Sequence, residues 1–340
     1  MPVIARATLQ RGARFYWHLG DLRALYEIDE DYAGLHHLSL EKLKLNLLPQ
    51  SEMDSYLAAA WPDFVENQVK PFKAPFFLGI GNHESIGRTR DQFLSFFHDQ
   101  LNIPPIQKQR EIDSPGDATV RSYYHWRERD VDFIYLDNSS SEFDAEQLVW
   151  FNAVISKIEA EPDVRALVVG MHESLPYSYS FSHSMNSAQD KGTSGLGVYQ
   201  RLLEYKKKGK PVYVFSSHSH FFLTDLYNTS YWQSNGGVLP GYLVGTAGAQ
   251  HYSVPPEVKE FAQYAENQYG YVVATVSRDT SSHDPLNFRF VPVKKKDLLP
   301  DTVRRFGVEA VNFCFSGNWN ASVPGTSKPA LPSTRTAGSS

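Results

Sequence analysis

Four apolar runs of the sequence pass directly into carboxylate, amide or imidazole side chains, and no other feature limits the fold as strongly. They occupy residues 15–21, 75–84, 166–173 and 212–220. Each run has the length and composition of a buried strand. Polar groups at the ends of buried strands are costly for the fold unless partners or ions satisfy them. We therefore expect the four strand ends to meet at one site.

The order of the predicted elements favours an α/β fold of the mixed α+β type, with helices flanking the sheets. Asp144 and Gln147 have the spacing of a helix N-cap and its partner three positions later, so a helix is predicted to begin there. Further helices are predicted over 51–72, 89–101 and 197–205. Residues 102–118, rich in Pro, Gly and Asp, and residues 176–193, rich in Ser and Tyr, are predicted to be loops.

Composition excludes several classes of protein. The 340 residues, 41% of them hydrophobic and 21% charged, are typical of a globular chain with one large domain or two ordinary ones. A net charge of -5 predicts no nucleic-acid-binding patch. If the protein binds a phosphate, a metal must supply the positive charge. The single cysteine, Cys314, excludes an intrachain disulfide and a Cys-based zinc site.

Membrane and export signals are not found in the sequence. No apolar run approaches the length of a membrane span, and the first residues lack the pattern of a signal peptide. As given, the chain is expected to be cytoplasmic, although a signal peptide lost with a missing N-terminus would change that expectation. The sequence makes no prediction about oligomeric state.

The predicted strand ends carry the side chains of a metal site. They are Asp21, Asn82, His83, His172, His218 and His220. Carboxylate, amide oxygen and neutral imidazole form a mixed oxygen and nitrogen ligand set that suits Mn, Fe or Zn. Two such ions about 3.5 to 4 Å apart can clamp the attacking and leaving oxygens of a phosphate ester. The pattern therefore predicts a metal centre whose substrate is a phosphate ester.

Four motifs occur in a familiar order: Gly20-Asp21, Gly81-Asn82-His83-Glu84, Gly170-Met171-His172 and Ser217-His218-Ser219-His220. They resemble the motifs of the calcineurin-like metallophosphoesterase superfamily, over roughly residues 13–290. The resemblance implies a two-sheet β-sandwich with helices outside and metals at the strand ends. Residues 1–300 would form the phosphoesterase domain, 301–322 a C-terminal extension and 323–340 a disordered tail.

The resemblance also implies roles for the site residues and two bound divalent metal ions. Asp21 would bridge the two ions. Asn82, His172 and His218 would complete one metal site, and His220 would serve the other.

His83 would be no metal ligand but would face the substrate, as general acid for the leaving oxygen or as a transition-state contact. A metal-activated hydroxide would attack phosphorus in line with the departing ester oxygen. Glu84 and Glu173 would orient neighbouring ligands from behind.

One expected motif, Asp-x-His, is missing, since no acidic residue precedes Asp21. In the family this motif ends the first strand and donates two ligands to the ion that His220 also holds. We expect an N-terminal truncation that removes this core strand, and hence a poorly active, less stable chain. The alternative is a catalytically impaired relative that acts as a binding or scaffold module.

Two further positions depart from family patterns. Ser217 replaces the glycine that precedes the first histidine of the last motif. Ala24 stands where the purple acid phosphatase branch has a metal-binding tyrosine, so an Fe(III) site of that kind is not expected.

The remaining histidines and aromatic residues are weaker candidates. His18 is predicted to be structural, and His36 and His37 fit a solvated loop better than a substrate contact. His251 and, less so, His183 are candidates to line the pocket. Tyr177, Tyr179 and Phe181 fit a substrate rim or a plain packed loop equally well.

Overall fold

A mixed seven-stranded sheet organises the computed structural model, which describes residues 1–23, 50–85, 90–185, 192–279 and 284–316. In chain order, the strands are β1 (Tyr16–His18), β2 (Phe76–Leu78), β3 (Tyr124–Glu128), β4 (Val131–Leu136), β5 (Ala166–Met171), β6 (Val212–Ser216), β7 (Phe222–Leu223), β8 (Gly241–Val244), β9 (Tyr264–Ala265), β10 (Tyr269–Val276) and β11 (Leu286–Val293). The large sheet has the order β3-β4-β5-β6-β8-β7-β9. Strands β4, β5, β6 and β8 are parallel, and the outer pairs are antiparallel.

The second layer consists of two short ladders packed on one face of the large sheet. Strands β1 and β2 pair in parallel, and β10 and β11 pair antiparallel. Alternation along β4 separates the two faces: Phe133 and Tyr135 pack with the second layer, whereas Ile134 and Leu136 pack on the opposite side. The predicted mixed fold with two β layers and flanking helices is confirmed, with its second layer in two pieces.

The helices of the described residues are α1 (Pro2–Gln10), α2 (Gln50–Phe64), α3 (Asn82–Ser85), α4 (Arg90–Phe96), α5 (His98–Leu101), α6 (Pro104–Asp113), α7 (Ala145–Ala160), α8 (Gly192–Lys207), α9 (Ser230–Ser234), α10 (Pro300–Phe306) and α11 (Val308–Cys314). The predicted N-cap of α7 is confirmed, because the Asp144 carboxylate accepts a hydrogen bond from the Gln147 amide. Apolar side chains of α7 and α8 pack in the core on the outer face of the large sheet.

The prediction of a loop over 102–118 is wrong, because α6 fills most of it. Pro104 occupies the start of that helix, where its missing N–H costs nothing and its fixed φ is already helical. Ile106 and Gln109 are buried. Composition was misleading here because a proline at the start of a helix favours the helix, whereas a proline in its interior would break it.

Two ranges of the prediction lie partly or wholly outside the described residues. The C-terminal segment is described to residue 316, and α10 is tied to the body of the protein by the contact of Arg305 with Asp63 at 3.3 Å. The predicted tail over 323–340 lies outside the described residues, and so do His36, His37 and Ala24. The domain boundaries stay predictions. A bilayer-spanning helix is absent from the parts of the chain described above, since none of their helices combines the required length and hydropathy.

An open groove separates β1 from β10. In the described part of the chain, β1 pairs only with β2, and β10 pairs only with β11. The cavity between them has a volume of about 2050 Å³, and side chains of the large sheet such as Phe133 and Val168 line it. The groove therefore interrupts the second layer where a sandwich would otherwise be continuous.

A buried charge network joins α6 to the edge of the large sheet. His125 on β3 contacts Asp113 through Nδ1 at 2.8 Å and Asp132 through Nε2 at 2.9 Å. Asp132 also accepts two hydrogen bonds from Arg127, which in turn pairs with Glu161. Burial alone would lower the pKa of His125, but the two carboxylates outweigh it and raise the pKa above its usual value. The imidazolium form is therefore the one that the fold stabilises.

We predict a pH-dependent stability from this network. Because the pKa of His125 is higher in the folded state, its stabilisation is complete below the unfolded value of about 6.5 and is lost as the pH rises through the raised folded value. Urea unfolding at pH 6 and pH 9 should give a lower free energy of unfolding at pH 9. His125→Gln should cost about 3 kcal/mol at pH 6, because it breaks a buried ion pair, and should flatten the pH dependence.

The matched control is His98→Gln, since His98 is an exposed histidine that pairs with its neighbour Asp99. It should keep both the stability and the pH dependence of the parent chain. An equal pH slope in the parent and in His125→Gln would contradict the assignment.

Candidate metal centre

The centre lies where strand ends from both β layers meet. Strands β1 and β2 deliver Asp21 and Asn82, and β5 and β6 of the large sheet deliver His172 and His218. The turn after β1 needs glycine: Gly20 has a φ of 102°, and a Cβ there would lie 2.6 Å from the Gly81 nitrogen. This close approach of two backbones brings Asp21 beside Asn82.

Four acceptor atoms converge at this point. The Nε2 atom of His172 lies 3.1 Å from Asp21 Oδ2, 2.9 Å from Asn82 Oδ1 and 2.9 Å from His218 Nδ1. His218 Nδ1 lies 3.8 Å from Asp21 Oδ2. The potential ligand atoms of Asp21, His172 and His218 all lie within 4.8 Å of one another. The structure thus brings together four of the five predicted metal ligands.

Backbone carbonyls select which imidazole nitrogen faces the centre. His172 Nδ1 donates to the Leu19 carbonyl at 3.1 Å, which leaves the Nε2 lone pair directed at the other ligands. The Ser217 hydroxyl donates to the same carbonyl at 3.1 Å. The serine that replaces the family glycine is therefore accommodated and adds a contact behind His172.

The electrostatics of the centre couple Asp21 to His172. Burial would raise the pKa of Asp21, but the adjacent His172, His218 and His83 hold that pKa well below its usual value. Burial would lower the pKa of His172, yet Asp21 and other carboxylates raise it. Each of the two groups therefore favours the charged form of the other.

The donor set fits a divalent cation. In the orientation described, the Asn82 oxygen faces Asp21, His172 and His218, all of them acceptors, and a positive ion satisfies such a cluster. With the amide turned over, its nitrogen would instead donate to Asp21 at 3.2 Å and to His172 at 2.9 Å. The same four side chains can thus bind a cation or form a hydrogen-bonded group in its absence.

Two predicted site residues lie beside this cluster. His83 donates its backbone N–H to Asp21 Oδ1 at 3.1 Å, and its Nε2 lies 3.8 Å from Asp21 Oδ2. His220 donates from Nδ1 to the Gln250 carbonyl at 2.7 Å. Burial lowers the pKa of His220 to about 4, so its imidazole is neutral, as a metal ligand must be. Both residues line the groove, next to Asp21.

Glu84 supports the centre from behind. Its carboxylate is fully buried and accepts hydrogen bonds from the backbone amides of Asp21 at 2.9 Å, Gly81 at 2.8 Å and Leu22 at 2.8 Å. Burial and the nearby Asp21 raise the pKa of Glu84 to about 7. Glu84 therefore fixes the backbone that carries Asp21 and cannot itself be a ligand in this arrangement.

Asn138 has a positioning role that the sequence analysis did not assign. Its Oδ1 accepts hydrogen bonds from the backbone amides of His172 at 3.1 Å and Glu173 at 3.0 Å, and its Nδ2 donates to the Glu173 carbonyl at 2.8 Å. The side chain is fully buried. The signal was present in the sequence, since Asp137 and Asn138 follow a buried strand in the same way as the predicted ligands do.

The structure shows the surroundings of three of the weaker histidine candidates. His18 accepts a hydrogen bond from the Gly20 amide at 3.3 Å and supports the turn before Asp21. The ring of His183 lies 5.2 Å from that of His218, so His183 reaches the centre. His251 is buried against Tyr269, with ring centroids 4.3 Å apart, and does not line the groove.

We predict that Asn138→Ala weakens metal binding. The change leaves two buried amides without an acceptor and frees the backbone that carries His172, so metal affinity should fall about 10- to 100-fold and the free energy of unfolding by about 2 kcal/mol. Competition with a chromophoric chelator measures the affinity. Asn152→Ala is the control, because Asn152 is exposed on α7 and bonds only within its helix; equal affinities in both variants would refute the role of Asn138.

Comparisons with known proteins agree with this geometry. A family profile described as calcineurin-like phosphoesterase matches residues 14–222, more than half of the chain. No curated protein matches the sequence at a significant level. Among solved structures, a purple acid phosphatase from yellow lupin (Lupinus luteus) seeds is similar, with a TM-score of 0.51 and 16% identity over 85% of this chain and 46% of its own.

Two further structures show weaker similarity. One is PhoD, with a TM-score of 0.49 and 14% identity over 81% of this chain and 61% of its own. The other is a dimetal phosphatase from Danio rerio, with a TM-score of 0.43 and 11% identity over 85% of this chain and 84% of its own. The chain thus spans about half the length of the lupin enzyme. The profile match and the strand-end site together show that this chain belongs to the calcineurin-like phosphoesterase family.

Proposed function

We propose that this chain hydrolyses phosphate esters with the help of bound divalent metal ions, either Mn, Fe or Zn. The observation that carries the proposal is the convergence of acceptor atoms from Asp21, Asn82 and His218 at 2.9 to 3.1 Å from His172 Nε2. Membership of a phosphoesterase family supports it.

Different residues of the chain would bind the cation and donate a proton. When bound, divalent cations at such a centre polarise a phosphoryl oxygen and lower the pKa of a bound water. Asp21 stays ionised because its pKa is held low, and it would hold the cation together with Asn82, His172 and His218. His83 lies beside Asp21 and lines the groove, where its imidazole would donate a proton to the departing ester oxygen.

The groove is the proposed approach for substrate. It opens beside Asp21, His83 and His220 and offers both polar residues and an apolar floor. Such a surface suits an ester whose phosphate meets the metal centre while its organic group rests on apolar side chains.

A second candidate function follows from the second metal site. Asp21 and His220 are the predicted ligands for that ion, and the sequence holds no Asp-x-His motif to complete the set. A chain with a single filled metal site would bind phosphate groups and turn them over slowly. Such a chain would act as a binding or scaffold module instead of a fully active hydrolase.

We predict that metal binding and turnover respond differently to two substitutions. Asp21→Ala should lose the metal, because it removes the carboxylate that lies 3.1 Å from His172 Nε2 and 3.8 Å from His218 Nδ1. His83→Ala should keep the metal and lower phosphate release by about 100-fold, the usual contribution of a general acid. Elemental analysis and phosphate release from an aryl phosphate are the measurements, and His98→Ala is the control. The assignments fail if Asp21→Ala retains both metal and rate.

We further predict that stoichiometry separates the two candidate functions. Titration with Mn²⁺ or Zn²⁺ should fill one tight site if the chain is a scaffold module, and two sites if it is an active hydrolase. The titrated protein is then given a panel of phosphate monoesters and diesters, with a chelator-treated sample as control. Two bound ions with high turnover would rule out the impaired alternative, whereas one ion without turnover would rule out the active hydrolase.

A further inference from the structure

One wall of the groove is the edge of β1 that faces away from β2. Tyr16 donates to the Pro75 carbonyl at 2.9 Å, and the His18 carbonyl accepts from Gly79 at 2.7 Å, so these two residues bond towards β2. Because alternate residues of a strand bond in opposite directions, the N–H and C=O of Trp17 point away from β2. Trp17 lines the groove, and within the described part of the chain no other strand pairs with this edge.

The opposite wall is the edge of β10 that faces away from β11. The Ser277 amide donates to the Pro285 carbonyl at 2.7 Å, at the end of the β10–β11 ladder. Residues of an antiparallel strand alternate between bonding the partner and pointing away from it. In this register, the backbone N–H and C=O groups of Val272, Ala274 and Val276 therefore point away from β11. All three residues line the groove.

These two edges lack the usual protection of an edge strand. Natural proteins place lysine or proline on such an edge, or cover it, because its unpaired backbone groups otherwise pair with another chain. The strands Tyr16–His18 and Tyr269–Val276 contain no proline and no lysine, arginine or acidic residue. Both walls thus have the composition of strands that are covered by a further strand.

The floor of the groove is apolar and wide enough for one strand. Phe133, Val168, Phe215 and Val244 line it, one from each of the neighbouring strands β4, β5, β6 and β8. Neighbouring strands are about 4.8 Å apart, so the floor is about 14 Å across, whereas a strand bonded to both walls needs about 10 Å. Every second side chain of such a strand would pack on this floor.

Charged groups lie at both ends of the groove. Arg14 precedes β1 and Asp21 of the metal centre follows it, and both line the groove, as do Arg11 and Arg129. Arg14 pairs with Glu128 at 2.8 Å, whereas the described residues provide no ion pair for the other two arginines. The seven residue steps from Arg14 to Asp21 span at most about 23 Å. A strand of about seven residues therefore joins the metal centre to the arginines.

We propose that the groove binds an extended phosphopeptide, which adds a strand between β1 and β10. The phosphorylated side chain would meet the metal centre, and an acidic residue about six positions away would lie near Arg11, Arg14 and Arg129. This inference rests on the proposed function and names its substrate class.

The two walls favour a peptide over other organic groups. A peptide backbone offers N–H and C=O groups at the spacing of both edges, which is the basis of recognition by strand addition. An alkyl or aryl group in the same place would remove water from the backbone groups of Trp17, Val272 and Ala274 without bonding them, and unpaired buried groups are costly.

The test is equilibrium binding to the Mn²⁺-loaded full chain, measured by calorimetry. The probes are inorganic phosphate, the blocked non-hydrolysable phosphonate analogue of phosphoserine, and two heptapeptides. Each heptapeptide carries the analogue at one end, the first at its N-terminus and the second at its C-terminus, then alternating Val and Thr, and Glu at the far end. One heptapeptide should bind at least about tenfold more tightly than the single residue, because several backbone hydrogen bonds are added and each contributes about 2- to 12-fold.

Methylation of alternate backbone nitrogens separates strand addition from side-chain contact. A strand between two walls uses the N–H groups of both its edges. Methylation in either register should therefore weaken the tighter heptapeptide by about 2- to 12-fold for each lost bond, although its side chains are unchanged.

Ala274→Pro tests the β10 wall from the side of the protein. It removes one N–H that faces the groove and no bond to β11, and edge strands tolerate proline at such a position. It should weaken the heptapeptide by about 2- to 12-fold and leave the affinity for inorganic phosphate unchanged. Ala274→Ser keeps the N–H and is the matched control. A melting temperature equal to that of the parent shows that the proline variant is folded, and the methylated peptides test the same contact in the parent chain.

Three outcomes overturn the inference. They are heptapeptides that bind no more tightly than the single residue, an affinity that methylation leaves unchanged, and equal losses in Ala274→Pro and Ala274→Ser. If inorganic phosphate binds in these cases, only the phosphopeptide site is refuted. If inorganic phosphate itself does not bind the metal-loaded chain, the proposed function is refuted together with the site.

Discussion

The centre depends on one buried carboxylate that ties two strand ends together. Glu84 accepts hydrogen bonds from backbone amides on both sides, Gly81 after β2 and Asp21 and Leu22 after β1. The ligands of the second layer are therefore attached to a single rigid unit. A carboxylate in a dry interior is costly unless it is fully hydrogen-bonded, and three amide donors meet that requirement. Together with the His83 amide, which donates to Asp21 Oδ1, this contact holds Asp21 beside Asn82.

The other half of the centre comes from the large sheet. The amides of Ser217 and His218 both donate to the His172 carbonyl at 3.0 Å, which joins the ends of β5 and β6. Leu19, next to the turn of the second layer, accepts from His172 in turn. The metal centre thus lies at the seam between two layers, and each layer supplies half of the ligands. Its position explains why the adjoining groove reaches the site directly.

The sequence predicted the strands that carry ligands better than the segments between them. The apolar runs before Asn82, His172 and His218 are buried strands, because a continuous apolar run has few other stable environments, and the run before Asp21 is a half-buried strand. Residues 102–118 were assigned wrongly, since composition alone does not separate Pro104 at a helix start from Pro in a loop. Asn138 was passed over because its role is to hold backbone atoms that lie 34 residues away, at His172.

The sequence by itself determined the chemistry of this protein: which side chains end the strands, their order along the chain, and hence the family. Only the tertiary structure decided how they are used. It grouped Asp21, Asn82, His172 and His218, left His220 beside the groove, and brought His183 to within 5.2 Å of His218. The physical reason is that residue types and strand patterns are local properties, whereas the distance between two strand ends is set by packing between layers that are remote in sequence.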